Sequence, residues 1–448
     1  MDRLPSTRAV WKLVALISLG GYFEFYDLFL TGYIAPALVR SGILTPTTRG
    51  LFGTTGVASF VAAMFSGLFL GTALFGFVAD RFGRRTIFTV SLLWYTTASV
   101  VMAFQHDVFG LNLWRFLSGL GVGVELVTIA TYISELIPKE LRGRAFAFNQ
   151  TVQFSSVPTV ALLAWLLADK APLGLDGWRW VVLAGAAGAA VVWWIRLGLP
   201  ESPRWLAEHG RLEEAEQVVS EIERRVALEA KLPPVVLREA APVSAGRASF
   251  AELWNPTYRG RTIMLAIFNV FQTVGFYGFS NWVPTLLVKR GIPVTSSLEY
   301  TFIIAITAPL GPLLAFKMAD KIERKWQIVM AATSVAVFGV LFGQMTATAV
   351  LIGLGMLLTI SNNILSYSLH TYQAELYPTR IRALGVGFVY SWSRLSVVFS
   401  AFAIAFILER FGVPGVFVFI AGSMAIVVFV IGCFGPRTNQ LSLETISK

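Results

Sequence analysis

Charge is scarce in this chain. Of its 448 residues only 14% are Asp, Glu, Lys or Arg and 55% are hydrophobic, where a soluble globular protein carries about 25% charged residues. So little polar surface cannot coat a water-soluble globule of this size, which excludes a soluble enzyme and leaves a membrane protein. The single cysteine, Cys433, lies in an apolar run and excludes a disulfide framework or a thiolate metal site. Three scattered histidines (His106, His209 and His370), no His-Glu-x-x-His pair and no nucleophile elbow give no expectation of a bound metal or an intramembrane enzyme. No Gly-x-x-x-x-Gly-Lys-Ser/Thr loop occurs either, so direct ATP drive and a bound cofactor are not expected. The net charge of +10 does not call for nucleic acid, because the distribution of basic residues along the chain accounts for it.

What is present is a series of long apolar runs. A helix crossing about 30 Å of hydrocarbon needs roughly 20 mostly apolar residues. Twelve stretches qualify: Trp11–Val39, Phe52–Val78, Thr86–Phe104, Gly110–Leu136, Gly143–Ala168, Trp178–Leu199, Arg261–Val288, Ser297–Met318, Trp326–Met345, Ala347–Glu375, Ala383–Leu408 and Val413–Phe434. They predict an all-α membrane protein with twelve transmembrane helices and no removable leader. With the N-terminus placed in the cytoplasm, 27 of the 36 lysines and arginines fall on that side and 7 on the other, which predicts both termini inside a cell membrane.

The chain also repeats itself at a spacing of 240. Asp80 and Asp320 open similar basic loops, and Glu135, Pro138 and Arg142 recur as Glu375, Pro378 and Arg382. Two six-helix bundles are therefore expected, 1–199 and 260–435, parallel about an axis along the membrane normal, as in transporters that rock around a central site. Residues 200–259 read as a cytoplasmic linker. Ser202-Pro203 starts a helix there, Leu212, Ala215, Val219, Ile222 and Val226 form its apolar stripe, and a Pro/Gly-rich segment follows. Residues 436–448 form a tail. The loop charges Asp80, Arg84, Arg85, Asp320 and Arg324, with Glu135, Arg142, Glu375 and Arg382, are expected to gate the cytoplasmic side.

These loops and spans carry recognisable signatures. Gly76 to Arg85, Arg115-x-x-x-Gly119-x-Gly121-x-Gly123, Glu135-x-x-Pro138-x-x-x-Arg142-Gly143, Pro200-Glu-Ser-Pro-Arg204-Trp205 and Glu375-Leu-Tyr-Pro378-Thr resemble those of the major facilitator superfamily. The resemblance covers nearly the whole chain and lies closest to its sugar-porter and organic-acid proton-symporter branches. Tyr277-Gly…Trp282-x-Pro284 and Glu24-Phe-Tyr-Asp27 are more similar to nicotinate and aromatic-acid proton symporters than to sugar porters. The first departs from the paired glutamines of sugar porters, and Glu24-Phe25 departs from the Asp-Gly common among the acid symporters. Gly119, Gly121 and Gly123 follow no strand and read as helix-packing positions rather than a dinucleotide loop.

Five charges lie well inside the apolar runs, where each costs at least about 2.5–3.5 kcal/mol and so needs a reason: Glu24, Asp27, Arg115, Glu125 and Arg394. Asp27 and Arg115 fall at similar depth. The resemblance implies the same pairing, so Asp27 reads as the proton carrier and Arg115 as its modulator, the alternative being a static ion pair that only orders the first half. Glu24 is a second protonatable group or a polar wall of the cavity. Glu125 suits an inner-gate pair with a basic loop residue. Arg394 has no acidic neighbour at its depth in the second half and is expected to bind a substrate carboxylate, with Tyr26, Gln150, Gln153, Gln272, Tyr277, Asn281, Asn362, Tyr390 and Trp392 around it; pairing with Glu24 or Asp27 across the halves is the alternative. The function expected is proton symport of a small, aromatic organic anion by a monomer in the lipid bilayer. Proton-coupled sugar or polyol uptake and organic-cation or drug antiport are the alternatives.

Overall fold

The computed structural model describes residues 3–45, 47–53, 55–75, 81–138, 140–234, 249–318 and 321–438. Asp80 and Asp320 lie outside them. Among the described residues the structure is helical, without a named strand. In chain order the helices are α1 Arg8–Arg40, α2 Gly56–Phe75, α3 Arg84–Ala103, α4 Val108–Leu136, α5 Arg142–Phe154, α6 Ser156–Leu167, α7 Gly177–Arg196, α8 Pro203–Glu208, α9 Leu212–Ala227, α10 Pro256–Ser280, α11 Val283–Lys289, α12 Val294–Ala305, α13 Leu310–Met318, α14 Arg324–Gln344, α15 Thr348–Glu375 and α16 Thr379–Phe434. Ten helical stretches among the described residues are long and apolar enough to cross a membrane.

Local chemistry sets the helix ends. The Thr7 hydroxyl accepts from the Val10 amide to start α1, and the Asp107 carboxylate accepts from the Gly110 amide at 2.8 Å to start α4. Chain breaks fall where donors are missing. Pro309 lies in the break between α12 and α13 with Pro312 in the first turn of α13, and Pro284 follows the break between α10 and α11. Two expected spans run together as α16, kinked at Gly412, whose φ of 66° is left-handed and suits glycine.

Helices α2 and α4 pack backbone to backbone. A methyl group on Gly119 would lie 2.2 Å from the Met64 carbonyl oxygen, and one on Gly123 2.4 Å from that of Leu68. The packing expected of the glycine run is thus present, with Gly121 turned instead toward Tyr95 of α3. The outside of the bundle is apolar: Trp194, Phe399, Phe411 and Phe429 are all more than 60% exposed, an exterior suited to lipid rather than water.

Equivalent contacts recur, made by side chains 240 apart in sequence. Arg84 pairs with Glu135 at 3.1 Å and Arg324 with Glu375 at 2.5 Å. The Tyr132 hydroxyl donates to the Pro200 carbonyl, and the Tyr372 hydroxyl to that of Pro436. Arg142 Nε donates to the Ile137 carbonyl, and Arg382 Nε to that of Tyr377. The half built from α1–α7 and the half built from α10–α16 therefore tie their ends in the same way. We call the end of the bundle carrying these contacts the terminal face, since α1 begins there.

At the opposite face the halves are joined. Asp169 accepts from Arg40 of its own half at 2.5 Å and from the Thr295 hydroxyl of the other. Trp165 stacks on Phe302 with ring centroids 5.7 Å apart, and Gly32 of α1 lies against the Asn281 backbone so closely that a methyl there would sit 2.5 Å from its carbonyl oxygen.

Candidate functional site

Eight charged side chains are buried among the described residues: Glu24, Asp27, Arg84, Arg115, Glu125, Arg179, Arg196 and Arg394. Six have an ion-pair partner. Asp27 of α1 meets Arg115 of α4 at 3.0 Å, and its carboxylate also accepts from Ser99 at 2.7 Å and Ser118 at 2.8 Å. Arg115 in turn donates to Thr31 at 2.6 Å and to the Asp27 carbonyl, with its guanidinium 5.5 Å from the Phe60 ring centroid. This pair is complete and lies inside the first half, turned toward α3 and α4.

Glu125 pairs with Arg196 at the end of α7, both fully buried. Arg196 also donates to the Phe88 carbonyl at 2.6 Å and lies over the Phe88 ring. The loop partner expected for Glu125 is therefore replaced by a helix residue, and the pair sits within one half. Arg196 stands at the end of an apolar run, where it reads as a boundary charge. The sign that it turns inward is Gly20 of α1, because a methyl there would occupy the place of its guanidinium.

The two remaining charges lack an ion pair among the described residues. Glu24 is fully buried and neither carboxyl oxygen has a hydrogen-bond partner. Arg394 of α16 is 2% exposed and donates to the Tyr277 hydroxyl at 2.8 Å and the Tyr390 hydroxyl at 2.6 Å, leaving Nε unpartnered. Its guanidinium lies 4.7 Å from the Tyr390 ring centroid. Glu24 and Arg394 lie within electrostatic reach of each other, one on each half, without a salt bridge. His370 holds the Tyr390 hydroxyl at 3.3 Å, and Tyr277 packs edge-on against Phe65 of α2, centroids 4.7 Å apart, so the arginine cradle touches both halves.

The structure sorts the other expected lining residues. Asn281 and Asn362 are buried with both amide atoms unpartnered, and Gln150 has a free carbonyl oxygen; buried amides left this way need a partner. Gln153 lies against Gly21 of α1, and Gln272 is buried on α10. Tyr26 turns away, donating to the Val181 carbonyl inside the first half at 2.7 Å. Trp392 turns away too. Two residues from Tyr390 and two from Arg394 on a helix, it falls on the opposite side of α16, 40% exposed and packed on Phe388.

Between the halves, Phe29, Tyr33, Phe154, Phe279, Thr301 and Asn363 line a hollow of about 20 Å³, room for about one water. The halves are thus closed around the site on the Arg40 side.

At the terminal face Arg84 and Glu135 are brought together, as are Arg324 and Glu375. Arg85 donates its backbone N–H to Glu201 at 3.1 Å and its guanidinium to the Leu197 carbonyl. Glu201 was not singled out by sequence, yet it accepts from both the Arg84 and Arg85 amides at the start of α3, where a helix N-terminus favours an anion.

The model of the sugar (and other) transporter family matches residues 13–448. YyaJ of Bacillus subtilis (strain 168), named for metabolite transport, is 31% identical over 98% of this chain and 95% of its own. The niacin transporter NiaP of Acinetobacter baylyi is 29% identical over 100% of this chain and 98% of its own. The partially occluded inward-open structure of the xylose transporter XylE from E. coli superposes with a TM-score of 0.77 at 19% identity, covering 97% of this chain and all of that one. Paired bundles of apolar helices, matching end contacts and a family match over nearly the whole length agree: this multi-pass membrane protein belongs to the sugar (and other) transporter family of the major facilitator superfamily.

Proposed function

We propose that this transporter carries a small organic carboxylate, aromatic by preference, together with protons by alternating access. In this reading it is a monomer with twelve membrane-spanning helices and both termini cytoplasmic. Residues 1–199 and 260–435 form its rocking halves, 200–259 the linker and 436–448 the tail.

The observation that carries the reading is Arg394, a buried guanidinium whose partners are phenol hydroxyls rather than a carboxylate. A carboxylate arriving there gains charge-assisted hydrogen bonds in a low-dielectric site. A flat aromatic ring suits the Phe and Tyr surfaces beside it. NiaP is named for niacin, itself a pyridine carboxylate.

The proton is assigned to the α1 carboxyls, Glu24 first. Within electrostatic reach of Glu125, Arg394 and Arg196, Glu24 is assigned to balance Arg394 when the site is empty and to become neutral when a substrate carboxylate takes over that role. Asp27 must release Arg115 before it can accept a proton. Arg84, Arg85, Glu135 and Arg142, with Arg324, Glu375 and Arg382, serve as terminal-face locks, and Glu125 as part of the internal tie to Arg196.

Uptake of labelled nicotinate and benzoate into proteoliposomes with an acidic exterior tests the reading. Wild type is expected to accumulate one of them, and Arg394→Ala, folded by size-exclusion, to accumulate neither. Normal carboxylate uptake by Arg394→Ala overturns the assignment. A second reading, proton-coupled sugar or polyol uptake, draws on the unpartnered amides of Asn281 and Asn362, which suit hydroxyl groups, and on the likeness to XylE, a proton:xylose symporter. Accumulation of xylose but of no carboxylate favours it.

A further inference from the structure

On the terminal face a groove of about 950 Å³ runs between the first turns of α1, the end of α7 and the linker helix α9, within the size range of ligand sites. Its acids are already engaged. Glu229 accepts the backbone N–H groups of Arg8 at 2.7 Å and Ala9 at 3.1 Å, and Glu221 pairs with Arg224 and Arg225 at 2.6 and 2.8 Å.

Two of its cations are not engaged. Arg8 and Lys12 are both exposed, and among the described residues neither side chain has a hydrogen bond or ion pair. They stand four apart on α1, on one helix face, where like charges repel. The walls beside them are apolar: Leu13 and Leu16 come from α1, Leu197 is 41% exposed and Leu228 is 85% exposed.

Arg8 opens a helix long enough to cross the bilayer, which puts this groove at the level of lipid headgroups. We propose that the groove binds an acidic phospholipid, its phosphate between Arg8 and Lys12 and the start of an acyl chain against the leucine walls. A bilayer supplies such a ligand in place, and basic residues at its surface attract acidic lipid. The apolar walls select a lipid over free inorganic phosphate. Bound there, the lipid joins α1 to the linker helix, which is already tied to the same segment by Arg3 and Glu223.

Native mass spectrometry of the full-length protein, purified with added phosphatidylglycerol or phosphatidylcholine, tests the proposal. The expected result is one retained phosphatidylglycerol, preferred over phosphatidylcholine and lost in the double variant Arg8→Gln/Lys12→Gln. The charge-preserving double variant Arg8→Lys/Lys12→Arg is expected to keep it, which separates charge loss from misfolding. No preference for phosphatidylglycerol, or equal retention by the Gln variant, overturns the proposal. Displacement of the adduct by millimolar inorganic phosphate shows a free-phosphate site and overturns the lipid assignment.

Discussion

A guanidinium cannot shed its proton to escape burial, so an arginine in the middle of a bundle must be answered by something. Arg115 is answered by Asp27 and Arg196 by Glu125; Arg394 is answered by two phenols. Removing either phenol hydroxyl weakens the hold on the charged guanidinium by about 1.5–3 kcal/mol. Tyr277→Phe and Tyr390→Phe are therefore each expected to raise the KM for carboxylate uptake about ten- to a hundredfold, with protein yield unchanged. The residue scale is also where sequence reading reached furthest. Asp27, Arg115, Glu125 and Arg394 stand out because charge is costly in an apolar run. Arg196 did not stand out, since an arginine at the end of a run looks like a boundary. Tyr26 and Trp392 share the depth of Arg394, but the direction a side chain takes from a helix depends on packing that depth does not reveal.

Between elements, two contacts make opposite demands. The α2–α4 seam is fixed: Gly119→Ala puts a methyl 2.2 Å from a backbone oxygen, so the helices must part, at a cost of about 1–3 kcal/mol. A lowered thermal midpoint in detergent is the expected readout.

The link across the Arg40 face has to break in each transport cycle. The Thr295 hydroxyl, and after it Arg40, hold the Asp169 carboxyl below its ordinary value of 3.8. A depressed carboxylate supports the closed face above that ordinary value and loses this support as pH falls through the lowered one. Between pH 5 and 8 Asp169 therefore adds no pH dependence, and transport that varies there draws on other groups. Asp169→Asn removes an exposed ion pair of about 0–1 kcal/mol. It is expected to raise thiol labelling at Thr301→Cys, beside the inter-half hollow, up to about fivefold in a Cys433→Ala background. The terminal-face ties were legible because they repeat at a spacing of 240. The Arg40–Asp169–Thr295 link was not, since its residues lie at or between helix ends and carry no repeating pattern.

At the scale of the whole molecule the buried charges of the two halves reduce to one open pair. Glu24 from the first half and Arg394 from the second lie within electrostatic reach of each other without an ion pair among the described residues, while the other buried charges are matched within their own half. Bundles that rock can keep such a pair in register with a cargo, because each half brings one member. The repeat and the apolar runs made the two-bundle plan legible in sequence. Which charges remained open was not, since depth along a helix does not say which side chain of a neighbouring helix meets it.

Filling the Arg394 site with an anion is predicted to bring a proton onto Glu24. Calorimetric titration of the purified protein with nicotinate or benzoate, in buffers of differing ionisation enthalpy, measures it directly. Wild type is predicted to take up about one proton per carboxylate bound. Asp27→Asn should keep that uptake, Glu24→Gln should bind without it, and Arg394→Gln should not bind. Proton-free binding by wild type, or proton uptake that survives in Glu24→Gln, would contradict the account.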